Sequence, residues 1–261
     1  MPEGHIDSAE GFQDEVPLWK ATESPLGGVA QPFYRTSALP CPYLPGRFER
    51  KLVTEISGPN GTTSYSDLCR AGFRRSHNIA YRTACFGCEA CVPVRIAVAA
   101  FGTRRSRRRI MSANADLTGY DAGRSTSDEQ YQLFQRYQHT RHADGDMAGM
   151  GFSDYRGMVE QSTIDTRLFE FRDRENRLWG ACLTDCLDDG LSAVYSFFDP
   201  GVPERSLGSY IVHWLVERAK AGGLPYVYLG YWIAESGKMA YKRRFRPLEG
   251  LCEGRWQVLP P

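Results

Sequence analysis

The sequence predicts an α+β protein, with a mixed sheet and flanking helices in its C-terminal half and a cysteine- and arginine-rich α/β region before it. Three observations carry this. Short runs rich in β-branched and aromatic residues at 166–171, 178–185 and 191–198, separated by turn residues, read as antiparallel strands. One long amphipathic stretch, with Leu207, Ile211, Trp214, Leu215 and Arg218 at helical spacing, reads as a helix from Leu207 to about Lys220, stopped by Gly222-Gly223. At 261 residues, 42% apolar and 24% charged, the chain is long enough for a full core and excludes collagenous, coiled-coil and wholly disordered readings.

Taken in order, residues 1–30 are polar and punctuated by Gly and Pro, which predicts a flexible arm. Residues 31–150 form the expected N-terminal domain and 151–261 the expected C-terminal one, two interdigitated regions. Cys41-Pro-Tyr-Leu-Pro-Gly-Arg47 is too proline-rich for a regular element and reads as a rigid loop. Leu52 to Ile56 predicts a strand, Asp67 to Gly72 a short helix, and Ile79 to Tyr81 and Val92 to Phe101 further strands. Ser127 with Gln130 three residues on has capping-box spacing, so a helix is expected from Thr126 to about Ala143. After the three strands and the long helix, Pro225 to Gly230 predicts a strand and Ser236 to Tyr241 a short helix.

The net charge is +1, from 32 basic and 31 acidic residues. That sum argues against nucleic acid until the charge is followed along the chain. Between Arg70 and Ile110 ten arginines face one acid, Glu89. Such a segment repels itself unless remote acids or an anionic partner compensate, and guanidinium groups pair bidentately with phosphate or carboxylate. Glu3, Asp7 and Glu10 stand where a signal peptide would be basic, and no apolar run approaches the roughly 18 residues of a membrane span. The expectation is a cytoplasmic protein without membrane contact.

Eight cysteines are too few for a secreted disulfide scaffold. Cys85, Cys88 and Cys91, with Cys41 upstream, have spacing that suits zinc or an iron-sulfur cluster, or else are small buried hydrophobes. Cys69, Cys182, Cys186 and Cys252 read as packing residues. The motifs of zinc proteases, serine hydrolases, P-loop kinases and dinucleotide enzymes are absent from the sequence. Asp185, Tyr195 and Tyr231 are polar-tipped groups on or beside central strands, suited either to handling an amine proton or to a buried hydrogen bond. Trp232, Lys238 and Tyr241 give a pocket-like density at a strand end, although Trp232 and Phe245 suit a core equally well.

The order of strands, loop, long helix and strand resembles the acyltransferase fold typified by the N-acetyltransferases. Arg205-Ser206-Leu207-Gly208 keeps part of that fold's loop motif. Ser206 is a suitable N-cap, and the amides of the first turn offer an anion or oxyanion site.

Many widely spaced motifs together are similar to the bacterial aspartate/glutamate leucyltransferases, relatives of the arginyl-tRNA-protein transferases. They include Cys41 to Arg47, Gly72-Phe-Arg-Arg-Ser76, Tyr81-Arg82, Cys85 to Arg95, Arg104 to Arg109 and Asp185 to Tyr195. Further along they include Arg205 to Gly208, Tyr228 to Ile233, and Lys238 to Lys242 with Phe245 to Glu249. The resemblance covers residues 30 to 258; Thr83 stands where the family usually has proline. It implies transfer of leucine from leucyl-tRNA to the α-amine of proteins beginning with Asp or Glu, which marks them for N-degron degradation. In the eukaryotic branch the donor is arginyl-tRNA and the N-terminal cysteines are associated with an iron-sulfur cluster. No cofactor is required for the transfer itself, because an aminoacyl ester is already activated.

Under this resemblance the expected roles are as follows. Arg74, Arg75 and some of Arg104 to Arg109 pair with tRNA phosphates, or one of the first pair takes the acceptor's carboxylate. Arg205, Ser206, Leu207 and Gly208 hold the terminal adenosine or the oxyanion. Asp185 or Tyr195 orients the amine, and Tyr231, Trp232, Lys238 and Tyr241 wall the aminoacyl pocket. A small-molecule N-acyltransferase leaves the arginine-rich half unexplained, and a purely RNA-binding cysteine-metal module leaves the 230–249 pocket superfluous.

Overall fold

An eight-stranded sheet organises the chain, in the order β14-β13-β7-β12-β11-β10-β9-β8. The computed structural model describes residues 31–58, 60–143 and 145–260; the expected arm at 1–30 lies outside them. The strands are β1 (Tyr34–Arg35), β2 (Leu39–Pro40), β3 (Phe48–Glu49), β4 (Lys51–Glu55), β5 (Arg74–Ser76), β6 (Ile79–Thr83) and β7 (Val92–Ala97). They continue as β8 (Thr118–Asp121), β9 (Thr166–Arg172), β10 (Leu178–Leu187), β11 (Gly190–Phe198), β12 (Tyr226–Trp232), β13 (Leu248–Cys252) and β14 (Arg255–Val258). The helices are α1 (Gly61–Arg70), α2 (Arg105–Ala113), α3 (Asp128–Arg141), α4 (Phe152–Glu160), α5 (Leu207–Ala221) and α6 (Gly237–Ala240).

Among the described pairings of the large sheet, β11 with β12 is parallel and the rest are antiparallel. A parallel neighbour needs a crossover, and α5 supplies it, burying Leu207, Ile211, Leu215 and Val216 in the core it shares with Val94, Ile96, Phe169 and Phe171. A second core joins α3 and α4 to the sheet through Leu133, Phe134, Tyr155 and Phe197. A small sheet, β1-β4-β6-β5, contributes to a third core with α1 around Ile56, Tyr65 and Phe73.

The expected mixed sheet with flanking helices is present, and most elements fall where the sequence put them. The capping box forms: the Gln130 amide donates to the Ser127 hydroxyl and the Ser127 amide to the Gln130 side chain. The division near residue 150 does not separate two bodies, because Phe33–Pro261 forms one compact unit. The reason is β7, which comes from the first half yet lies between β12 and β13. The helix expected at 67–72 starts earlier, at Gly61. The strand expected over 92–101 ends at Ala97 and gives way to a 3-10 turn.

Candidate active site

The two central strands part. β11 and β12 pair only at Gly190 with Tyr226, Leu191 with Val227 and Ser192 with Tyr228. Beyond those residues β11 stays bonded to β10 and β12 to β7, each pairing with a register shift where the strands diverge. The irregularities bend both strands and leave a wedge in the middle of the sheet. Ala193 to Ser196 on its β11 side are part-exposed, as an unpartnered edge requires.

Arg74 fills that wedge. Its guanidinium donates to the carbonyls of Ala193 and Val194 at 3.4 and 3.3 Å. On the other side it lies so close to Gly230 that a Cβ there would stand 1.0 Å from Nη1. Gly230 has φ +75°, a conformation glycine adopts without a Cβ penalty. No carboxylate pairs with Arg74 among the described residues, and both hydrogen bonds that hold it are long. Tyrosines surround it: burial pushes the Tyr43 and Tyr241 hydroxyls up to about 12 while Arg74 pulls the other way. Tyr241 keeps 40% of its surface exposed, although its hydroxyl is buried.

Lys242 is a second cation in this cluster. Its ammonium donates to the Tyr231 carbonyl at 2.6 Å. Burial, reinforced by Arg74, pushes it down to about 7 from its ordinary 10.5. From α3, Gln138 donates to the Tyr195 hydroxyl at 2.8 Å, which leaves the tyrosine proton free to donate. The Gln138 carbonyl oxygen is itself buried without a partner. Burial raises the Tyr195 hydroxyl, so it stays protonated and serves as a donor.

Several expected site residues have other work. Asp185 is 0% and Arg75 4% exposed, and they bind each other through two bonds of 3.0 and 2.6 Å. Thr166 donates to the same carboxylate at 2.9 Å and Arg75 also donates to the His77 carbonyl. This pair clamps β5 to β10; neither member is open to an amine or a phosphate. The Tyr231 hydroxyl donates to the Gly72 carbonyl at 3.3 Å, so it positions the segment that carries Arg74. Arg205 is spent on Asn114 at 3.0 Å, Asp116 at 2.5 Å and the face of Trp179.

The start of α5 keeps part of its expected role. Ser206 occupies the N-cap position but in a left-handed conformation, with no side-chain cap bond. The Ser209 and Tyr210 amides donate to the Ser206 carbonyl, and among the described residues those of Leu207 and Gly208 have no backbone acceptor, which makes them the open donors of the first turn. Leu207 itself is core, and a Cβ on Gly208 would stand 2.9 Å from the Phe198 ring. That closeness sets the helix start beside the end of β11. Trp232 ends β12 with its indole nitrogen unpartnered and Arg243 over its ring. Lys238 is exposed near His142, whose imidazole burial and this lysine both lower.

The thiols of the cysteine cluster differ in their surroundings. The Ala90 amide and the Arg47 guanidinium lower the Cys88 thiol, whereas burial and the neighbouring thiols push Cys91 up to about 11. Among the described residues no group of three or more His, Cys, Asp or Glu side chains is disposed to hold a metal ion. No chemical step is routed through a metal at these thiols.

The parted strands, with a cation and hydroxyl donors on one side and open helix amides on the other, suit a transferase that brings two substrates together across a sheet. Residues 39–109 match the family described as "Arginine-tRNA-protein transferase, N terminus" and 129–252 the corresponding "C terminus". The chain is 59% identical over 227 residues to an aspartate/glutamate leucyltransferase of Granulibacter bethesdensis, covering 87% of this chain and 85% of that one. It is 55% identical over 229 residues to the one of Paramagnetospirillum magneticum, covering 88% and 94%. The chain therefore belongs to the aspartate/glutamate leucyltransferase family, and it is an aminoacyl-tRNA-protein transferase. Among solved structures, the C-terminal DUF2156 domain of an Agrobacterium fabrum protein overlaps 69% of this chain and about half, 54%, of its own at TM-score 0.43 and 15% identity.

Sequence reasoning missed Tyr43 and Gln138 as parts of the site, and it held Gly230 and Lys242 only as members of the pocket-like 230–249 stretch, without a role. Gln138 and Lys242 carried a readable signal, a polar residue at a core-facing position beside aromatics. What converges around Arg74 from β5, β11, β12, α3 and the 3-10 turn at Tyr241–Arg244 is set by tertiary structure alone.

Proposed function

We propose that this enzyme moves leucine from leucyl-tRNA to the α-amine of cytoplasmic proteins that begin with Asp or Glu, and that Arg74 reads the acidic side chain. The observation that carries this reading is Arg74 itself, a cation held between parted strands with no carboxylate of its own. A planar guanidinium binds a carboxylate bidentately, and desolvation strengthens the bond.

The acceptor enters on the face of Arg74, and the donor's 3′ end lies toward the start of α5. The neutral amine attacks the ester carbonyl carbon; the C–N bond forms as the C–O bond to the terminal ribose breaks. The amine loses one proton and the ribose oxygen gains one. The reaction balances without a cofactor, because the ester supplies the activation. The tyrosine hydroxyl at 195 donates toward the developing oxyanion, and the Leu207 and Gly208 amides offer further donors. Among the described residues no helix is long and apolar enough to cross a membrane.

The test is leucine transfer from charged tRNA to peptides that differ only in their first residue. Asp- and Glu-peptides are expected to be labelled and an Ala-peptide not. Labelling from arginyl-tRNA but not leucyl-tRNA, or equal labelling of all three peptides, contradicts the reading.

A further inference from the structure

The basic segment sorts itself when it folds. Arg107 turns inward, where it is buried, paired with Glu217 and bonded to the Phe101 carbonyl. Arg104, Arg105, Arg108 and Arg109 stay exposed. None of these four has an ion pair among the described residues. Arg104 and Arg108, and likewise Arg105 and Arg109, stand one helical turn apart, about 6 Å along the axis. Together with Ser106 and Ser112, three of the four line a depression of about 650 Å³. The first turn of α2 contains no acid. Cations at the positive end of a helix dipole are unfavourable unless an anion comes to meet them.

The helix is also aimed. Its N-terminal half lies along the C-terminal half of α5, through Arg107 and Glu217. Its C-terminal end is latched to the start of α5, where Asn114 donates to the Arg205 carbonyl at 2.8 Å and accepts from Arg205 at 3.0 Å. A polyanion followed along the arginine rows is therefore led to the open amides of α5 and the wedge. The apolar residues of α2, Ile110 and Met111, pack against the core, so the exposed face lacks the apolar stripe that a lipid surface takes.

We propose that the exposed face of α2 is the phosphate-docking surface for the donor RNA, with Arg104, Arg105, Arg108 and Arg109 contacting backbone phosphates and carrying no base specificity. This rests on the reading of the chain as an enzyme that uses charged tRNA. Neutralised phosphates release counterions, so each contact adds about 0.9 to the salt slope of a duplex.

The test measures leucyl-tRNA affinity against salt for the full-length wild type, Arg105→Gln/Arg108→Gln and a control with the same charge change, Arg156→Gln/Arg174→Gln, whose arginines are exposed elsewhere. The α2 double substitution is expected to reduce the slope by about two and weaken binding roughly 30-fold at ~0.15 M salt, with an unchanged melting temperature, while the control stays near wild type. Equal slopes in all three proteins overturn the surface, as does an α2 effect confined to anionic phosphatidylserine vesicles. Wild type that neither binds charged tRNA nor transfers leucine overturns the functional reading instead, which separates the two failures.

Discussion

Arg74 and Arg75 are neighbours of the same chemistry with opposite fates, decided by what each meets across the sheet. Arg75 meets Asp185 and is neutralised in a buried pair; Arg74 meets two carbonyls and a glycine and keeps its charge available. Asp185 is therefore a structural group, although its polar tip on a central strand made it a candidate for the amine. Breaking a buried pair by removing one partner leaves the other charge stranded, at a cost of about 3–5 kcal/mol. Asp185→Ala is expected to lose about that much in urea unfolding, and Arg75→Met/Asp185→Leu to recover most of it. An Asp185→Ala protein of native stability that fails only in the chemical step contradicts the assignment.

At the scale of elements, the site depends on two strands that stop pairing. Gly230 holds the β12 side open for Arg74, and an added methyl there has nowhere to go but into the guanidinium. Gly230→Ala is expected to keep the fold, shift the melting temperature by a few degrees and raise KM for an Asp-peptide at least tenfold; unchanged KM removes Gly230 from the account. Much of this architecture was legible. The strand pattern at 166–198, the capping box at Ser127 and the amphipathic run of α5 are local signals and were read correctly. Three things were not legible. The helix at Arg105–Ala113 has too little apolar pattern in a run of arginines, and β7 joins the second-half sheet through contacts with no local signature. The hairpin of β13 and β14 turns at Glu253-Gly254, both left-handed, and its first position holds a glutamate rather than the usual glycine or asparagine. Among the candidate residues, Arg74 stood out by motif, but nothing local distinguished it from Arg75.

At the scale of the whole molecule, a net charge of +1 describes the average and hides the partition. Arg75, Arg95, Arg107, Arg172, Arg177 and Arg205 are consumed by internal carboxylates. Among the arginines with no ion pair in the described residues, four stand together on the outer face of α2 and one, Arg74, fills the wedge. These match the two anionic substrates of the proposed reaction: a phosphate backbone and an acidic N-terminus. The central claim is that the wedge cation reads the acceptor's carboxylate, and the most direct measurement is kcat/KM for two peptides that differ only in starting with Asp or the isosteric Asn. A charge-assisted bond of about 3 kcal/mol predicts roughly 100-fold preference for Asp in the wild type. In Arg74→Gln that preference is expected to fall below about tenfold, while the melting temperature stays close to wild type. A folded Arg74→Gln enzyme that still prefers Asp about 100-fold contradicts the account.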